Sequence, residues 1–139
     1  QNTQGAQIQY CGSLGREENC NVAVASCFVS ESKHFPINFK SYIPEQGTPS
    51  KSFKSKLDLA KELIEEAIAK QIPFSCAVFD AWYTSTDLIE FIASHNLSLV
   101  AETKINRSIL FPNPQTRQPT FLRADQIIPL IKKHFEYLV

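Results

Sequence analysis

The stretch that decides the fold is residues 73–80, PFSCAVFD, which ends in Asp80. Apolar residues on consecutive positions are typical of a strand buried on both faces, inside a sheet that helices cover. Open α/β sheets place their binding and catalytic groups at the carboxyl ends of such strands. The sequence therefore predicts a buried strand over residues 74–79, with Asp80 as the acidic side chain in a position to do chemistry.

Two strands are predicted upstream of this stretch. Residues 21–30 are rich in β-branched and small apolar side chains, and residues 35–43 alternate with a period close to two. A short polar turn joins them, so an antiparallel pair with one buried face is expected. Residues 1–20 lack clear periodicity, and their glycines indicate a loop or a hairpin.

The clearest helix follows these strands. Ser55 is a good N-cap with Asp58 three residues on, which forms a capping-box-like pair. Pro73 forbids continuation, so the helix must end before it. The side chains at helical spacing predict its inner face, namely Leu57, Ala60, Leu63, Ile64, Ala67, Ile68 and Gln71.

A second helix and a second buried strand are predicted after Asp80. Thr84 or Ser85 can cap a helix that runs to residue 94, and Asn96 suits a left-handed exit residue. Residues 97–103 then read as another buried strand.

The rest of the chain is predicted to be a loop and a helix. Prolines at positions 112, 114 and 119 mark an irregular loop, and residues 124–138 carry a helical apolar stripe. Pro129 lies inside that stripe, so a kink or a later start is expected. The element order predicts a mixed sheet with helices on both faces, its first strand pair antiparallel and its helix-linked strands parallel.

Composition describes one ordinary domain or most of one. The chain has 139 residues with 43% hydrophobic content, which can support one sizeable core. Lysine plus arginine equals aspartate plus glutamate at 14 each, so net charge neither indicates nor excludes a nucleic-acid or membrane partner. No apolar run approaches the roughly 20 residues of a membrane helix. The chain lacks methionine and ends in an apolar helical pattern, so we expect an internal section of a longer protein.

The cysteines indicate a reducing compartment. None of the four forms a CxxC pair, and the three histidines lie at unrelated spacings, which argues against a structural zinc site. Cys27 and Cys76 fall in apolar strands and are predicted to be small core residues. A chain this hydrophobic does not need disulfides, so a reducing cytosol is expected.

Three further segments carry a resemblance. They are residues 9–16 (QYCGSLGR) with 19–22 (NCNV), residues 79–85 (FDAWYTS) and residues 102–107 (ETKINR). In this order they resemble a signature, the second catalytic-acid motif and the following basic strand end of bacterial insertion-sequence transposases of the DDE superfamily. The resemblance covers roughly residues 5 to 110.

The resemblance implies a ribonuclease-H-like fold, a mixed sheet flanked by helices that is incomplete because its first strand and last helix region are missing. Residues 1–110 would be the partial catalytic core. Residues 111–139, a Pro-rich loop and a helix, would lead into an insertion or the rest of the core. The protein would be bacterial and cytoplasmic, associated with the nucleoid when bound to DNA, and a homodimer in its intact form.

The resemblance also implies a mechanism. Three acids hold two divalent ions, Mg²⁺ or Mn²⁺, which activate a water or a DNA 3′-hydroxyl at double-stranded transposon ends. Asp80 matches the second acid, as a catalytic metal ligand. The family's first Asp and final Glu lie outside this sequence, and neither Glu102 nor Asp125 matches the final Glu by position. The chain alone is therefore expected not to cut DNA.

Each candidate site residue also has a structural interpretation. Asp80 could instead cap the helix that begins near Thr84. Lys104 and Arg107 would contact the DNA backbone as the resemblance implies, or form a solvated basic turn. Gln9 and Tyr10 would shape the active-site rim, or belong to a plain glycine hairpin. Two aromatic residues follow Asp80 in the sequence: Tyr83 is a candidate DNA-binding residue, whereas Trp82 is predicted to pack in the core.

A second function stays open beside the nuclease. A degenerate, non-catalytic α/β domain acting in DNA binding or protein association would show the same pattern. A phosphoacceptor domain using Asp80 needs a further acidic pair after its first strand, and the sequence shows none.

Overall fold

The computed structural model describes residues 6–45, 52–112 and 118–135. The chain divides into two compact units, Gln1–Ser75 and Cys76–Val139. The described residues contain three helices and four two-stranded sheets, so the chain is a mixed α/β protein. The strands differ from the single mixed sheet that the sequence predicts, because each one pairs with a single neighbour.

The first unit begins with a hairpin. Strands β1 (Gln7–Cys11) and β2 (Arg16–Cys20) pair antiparallel. The Cys11 carbonyl accepts hydrogen bonds from the backbone N–H groups of Leu14 and Gly15, at 3.1 and 2.9 Å. Gly15 has φ 66, a backbone angle that glycine adopts without steric cost. The hairpin interpretation of this region is confirmed for residues 6–20, and residues 1–5 lie outside the described part.

A longer antiparallel pair follows, as predicted. It joins β3 (Val22–Ser30) to β4 (Lys33–Tyr42), with a register shift between Ser26 and Cys27. Val24 is buried. Cys27 is exposed, so its prediction as a core residue is wrong. Successive side chains of a strand point to opposite faces, and only one face of this pair is packed.

Helix α1 (Lys56–Ala69) packs on β3 and β4. The Ser55–Asp58 capping box is present as predicted, with the Ser55 hydroxyl accepting from the Asp58 N–H at 3.2 Å. The buried face is rotated relative to the predicted stripe, because Leu59 is buried and Ile68 is exposed. The helix ends before Pro73, as predicted.

A group of ion pairs fixes α1 to β4. The Lys40 ammonium donates to the Glu66 carboxylate and lies 3.2 Å from a Glu62 oxygen. The Asn38 amide also donates to Glu66, at 2.6 Å. The two carboxylates raise the pKa of Lys40, and the hydrogen bond to Glu66 has the larger effect and that to Glu62 the smaller. The Lys40 ammonium is also the largest cause of the lowered pKa of Glu66.

The second unit begins with a parallel pair. Strands β5 (Cys76–Phe79) and β6 (Ser98–Ala101) are joined by helix α2 (Thr86–Ser94). Ser85 is the N-cap and accepts from the Leu88 N–H at 3.1 Å. Leu88 and Ile92 are fully buried, and Asn96 has φ 57. The second helix, its serine cap and its left-handed exit are therefore confirmed.

The two parallel strands are buried on one face only. Val78 is 75% exposed, Val100 is 60% exposed and Cys76 is exposed, whereas Ala77 and Phe79 are half-buried. The predictions of strands buried on both faces and of Cys76 as a core residue are wrong. The physical reason is that side chains alternate along each strand, and α2, which packs on β6, covers one side.

The unit ends with a second hairpin and a helix. Strands β7 (Ser108–Pro112) and β8 (Pro119–Arg123) pair antiparallel, and α3 (Ala124–Phe135) follows directly and packs on both. The predicted irregular loop is wrong for these strands, while residues 113–117 lie outside the described part. Pro112 pairs with Pro119 at the strand ends, where a missing N–H is tolerated.

The last helix begins where its apolar stripe begins. It starts at Ala124 and carries Pro129 in its interior, so the later start, one of the two expected effects of Pro129, is wrong, and the kink stays a prediction. Residues 136–138 of the predicted helix lie outside the described part. Among the described residues, no helix has the length and apolar content needed to cross a membrane.

Candidate active site at the end of the fifth strand

Asp80 follows β5 directly and is exposed. Its Oδ1 accepts a hydrogen bond from the Trp82 N–H at 2.9 Å, and its main-chain carbonyl accepts from the Tyr83 N–H at 3.2 Å. This is the local turn that an aspartate side chain builds with its own backbone. Because Ser85 caps α2, the interpretation of Asp80 as that helix's cap is wrong. Among the described residues, Oδ2 of Asp80 has no hydrogen-bond partner.

The turn is tied to the end of the neighbouring strand. The Glu102 N–H donates to the Phe79 carbonyl at 3.3 Å, which extends the β5–β6 pairing by one residue. The Thr84 hydroxyl donates to the Glu102 carbonyl at 2.7 Å. Since the two strands are parallel, Asp80 and Glu102 stand at the same edge of the sheet.

A pocket of about 300 Å³ adjoins this edge. Its walls are Ala81, Trp82, Thr84, Lys104, Asn106 and Arg107. Trp82 is 78% exposed, so the prediction that it packs in the core is wrong. The backbone N–H of Trp82 donates to Asp80 in the turn after β5, so Trp82 lies beyond the end of the strand. The Lys104 Nζ lies 5.4 Å from the centroid of the Trp82 ring, within cation–π range.

Arg107 and Lys104 differ in what they contact. The Arg107 guanidinium donates to the Thr84 carbonyl, and the side chain is half-buried. The Arg107 backbone is also held, because its N–H donates to the Lys104 carbonyl and its carbonyl accepts from the Ala124 N–H, each at 2.9 Å. Arg107 therefore connects the turn after β5 to the segment after β6. Lys104 is exposed.

Tyr83 lies on the inner side of the turn. Burial raises the pKa of its phenol, and the negative charge of Asp80 raises it further. The hydroxyl therefore stays protonated around neutral pH and can act as a hydrogen-bond donor.

Gln9 and Tyr10 belong to β1, in the first unit. Gln9 donates through Nε2 to the Cys20 carbonyl at 2.7 Å, and its buried Oε1 has no hydrogen-bond partner among the described residues. Tyr10 is exposed. Their assignment to the active-site rim stays a prediction.

One carboxylate suits a metal ion here. Within residues 6–45, 52–112 and 118–135, no group of three or more His, Cys, Asp and Glu side chains is arranged to hold a metal. Magnesium is usually held by one or two carboxylates together with waters and substrate phosphates. The free oxygen of Asp80 fits one such ligand position.

Sequence reasoning missed the hydrogen bonds that hold the turn. Thr84 was considered only as a helix cap and Arg107 only as a basic residue, yet their contacts fix the turn after β5. The signal available in the sequence is weak: a threonine just before the helix cap, and an arginine just after the basic strand end.

An acid at the carboxyl end of a parallel strand, beside a basic and aromatic pocket, defines a site suited to phosphate-containing substrates. The family model described as DDE superfamily endonuclease matches residues 1–123 of the chain. The chain therefore belongs to this family, and the resemblance seen in the sequence is confirmed. Searches of curated proteins and of solved structures each gave no match. Endonucleases of this superfamily act on DNA and generally use divalent metal ions.

Proposed function

We propose that the chain is part of the ribonuclease-H-like catalytic core of a DDE transposase, whose intact form cleaves and transfers DNA strands at transposon ends. The observation that carries the proposal is Asp80, an exposed carboxylate at the carboxyl end of β5 beside a basic pocket. The family match over residues 1–123 supports it. Residues 1–110 would then belong to the core, and 111–139 would lead into an insertion or its remainder.

The order of elements supports the proposed core. An antiparallel pair, β3 and β4, is followed by a parallel pair, β5 and β6, joined by a helix. The intact sheet would need a further strand outside this sequence. A separate element would cover the face that carries the exposed Val78 and Val100, since apolar side chains on a sheet face are usually covered.

Asp80 would be one of three acids that hold the metal ions, with the other two supplied by parts of the protein outside this sequence. Bound Mg²⁺ or Mn²⁺ would activate the attacking hydroxyl and stabilise charge at the scissile phosphate. The backbone N–H of Trp82 donates to Oδ1 of Asp80 and so orients the carboxylate, while Oδ2 is open to a ligand.

Lys104 and Arg107 would have different tasks. The exposed Lys104 ammonium is suited to a DNA phosphate. The hydrogen bond from Arg107 to the Thr84 carbonyl favours a positioning role, in which Arg107 holds the turn that carries Asp80. The half-buried phenol of Tyr83 would donate a hydrogen bond to the DNA.

The test is DNA cleavage by the full-length protein with Mg²⁺, using duplexes that contain the transposon end. Asp80→Asn keeps an oxygen for the Trp82 N–H but removes the charge that binds the metal. Metal stabilisation is worth several kcal/mol, so cleavage should fall at least about a hundredfold. Glu90→Gln, an equal charge loss at an exposed position on α2, is the control and should retain activity. Equal activity of Asp80→Asn and Glu90→Gln would refute the catalytic role of Asp80. Absence of cleavage by the unsubstituted protein would refute the nuclease assignment and leave the non-catalytic DNA-binding or association domain.

A further inference from the structure

The exposed indole of Trp82 is not explained by metal binding. It is the chain's single tryptophan, and at 78% exposure it contributes little to the core. Tryptophan is among the most strongly buried residue types on average, because its ring carries a large apolar area. Because Trp82 is exposed in the wall of a pocket, its face is accessible to a ligand that enters that pocket.

The surroundings of the ring indicate the chemistry of that ligand. The Lys104 ammonium stands 5.4 Å from the ring centroid, and the Asn106 amide and Arg107 also line the pocket. The volume, about 300 Å³, lies at the lower end of the range for small-ligand pockets, roughly 300–1,000 Å³. An aromatic face beside cations is the combination that proteins use for single-stranded nucleic acid, with bases stacked on rings and phosphates on basic side chains.

The backbone that carries the ring is also held in place. The backbone N–H of Trp82 donates to the Asp80 carboxylate, and Arg107 fixes the far end of the same turn through the Thr84 carbonyl. The indole therefore belongs to a turn with fixed ends, two residues beyond Asp80. A platform organised before binding loses less entropy when a base stacks on it.

From this geometry we propose that Trp82 and Lys104 form a subsite for one unstacked base of single-stranded or locally unpaired DNA. The base stacks on the indole, and the Lys104 ammonium contacts a flanking phosphate. The inference rests on the proposed function for its DNA ligand. It adds that the turn after β5 binds an unstacked base of that DNA. A simple phosphate site would need the cations but not the ring. A protein-docking site would use the ring without needing the Lys104 ammonium beside its face.

The test uses the intrinsic fluorescence of this chain, in which the signal comes from Trp82 alone. The chain is titrated with a short single-stranded deoxyoligonucleotide, an abasic strand of equal length and a fully paired duplex. The base-containing strand should quench the fluorescence and bind roughly five- to 150-fold more tightly than the abasic strand, the gain from stacking one base. Equal quenching and equal affinity for the abasic strand would overturn the proposal.

Matched variants separate stacking from general charge, with affinity measured by anisotropy of a dye-labelled strand. Trp82→Ala should lose the preference for bases, and Trp82→Phe should restore part of it. Phe121→Ala is the control, because it removes a ring that is 71% exposed in the same unit. If Phe121→Ala weakens binding as much as Trp82→Ala does, the subsite is refuted. Both rings are exposed, so neither change disturbs the core, and far-UV circular dichroism verifies folding.

Asp80→Asn distinguishes this inference from the proposed function. The expected result is loss of cleavage in the full-length protein with base-dependent quenching intact in this chain. Absence of base-dependent quenching, with cleavage still dependent on Asp80, would refute the subsite and leave the nuclease. Base-dependent quenching with cleavage independent of Asp80 would refute the catalytic role of Asp80 and leave the subsite standing.

Discussion

The different contacts of Arg107 and Lys104 predict different consequences when each is replaced by alanine. Arg107→Ala removes the guanidinium that donates to the Thr84 carbonyl. A hydrogen bond from a charged donor contributes roughly 1.5–3 kcal/mol to stability when buried, and the half-exposure of Arg107 puts the expected loss near the lower limit. Lys104→Ala removes an exposed ammonium and should change the free energy of unfolding by less than about 0.5 kcal/mol.

For DNA affinity and its salt dependence, Lys104→Ala should have the larger effect and Arg107→Ala the smaller one. Each phosphate contact contributes roughly 0.7 to the slope of log affinity against log salt for a single strand, and about 0.9 for a duplex. Lys104→Ala should lower that slope by about this amount, whereas Arg107→Ala should leave it unchanged. Anisotropy titrations at several salt concentrations measure the slope, and urea unfolding followed by circular dichroism measures stability. Lys33→Ala, at the exposed first residue of β4, is the charge control.

If Arg107→Ala lowers the salt slope as much as Lys104→Ala and leaves urea unfolding unchanged, the guanidinium contacts DNA. The positioning role of Arg107 would then be wrong, and the prediction from the sequence that Arg107 contacts the DNA backbone would stand.

Three further predictions concern packing, capping and pH. Ile92→Ala should lower the free energy of unfolding by roughly 2–5 kcal/mol, because Ile92 is 0% exposed, whereas Ile128→Ala at a half-exposed position should cost clearly less; urea unfolding compares them. Ser55→Ala removes the α1 cap and should cost about 1 kcal/mol, with Thr restoring most of it in the same assay. The Lys40 ammonium lowers the folded-state pKa of Glu66, so its stabilisation is complete above the ordinary carboxyl pKa of 4.5 and is lost as pH falls through the lowered value. Glu66→Gln should therefore flatten the acid side of the stability–pH profile, and an unchanged profile would contradict the role of this pair.

Features set by local chemistry were predictable from the sequence. The Ser55–Asp58 capping box needs only side chains three residues apart, and the φ of 57 at Asn96 follows from the tolerance of asparagine for left-handed geometry. The position of Asp80 at a strand end also follows from a local pattern, an apolar run that stops at an acid. These assignments did not require knowledge of what packs against each element.

Features set by distant contacts were not predictable. An apolar run predicts burial on both faces, but the exposure of Val78 depends on which elements cover the sheet. The prolines at positions 112 and 119 indicate a loop in the sequence, so the hairpin of β7 and β8 is not predicted. Only the strand register shows that both prolines lie at the paired strand ends, where a missing N–H is tolerated. The contact between Arg107 and Thr84 joins residues 23 positions apart, and no single-sequence pattern encodes it.

The choice of side chain at the two basic positions follows from the geometry of the turn. A guanidinium is a planar, weakly hydrated fork that holds fixed acceptors, which suits the half-buried approach of Arg107 to a carbonyl. An ammonium is a compact, strongly hydrated charge on a flexible stem, which suits the contact with a DNA phosphate proposed for the exposed Lys104. Exchanging the two residue types would therefore weaken both roles while leaving the charge of the pocket unchanged. The arrangement around Asp80 depends on this difference in shape, since net charge alone would be served equally well by either residue.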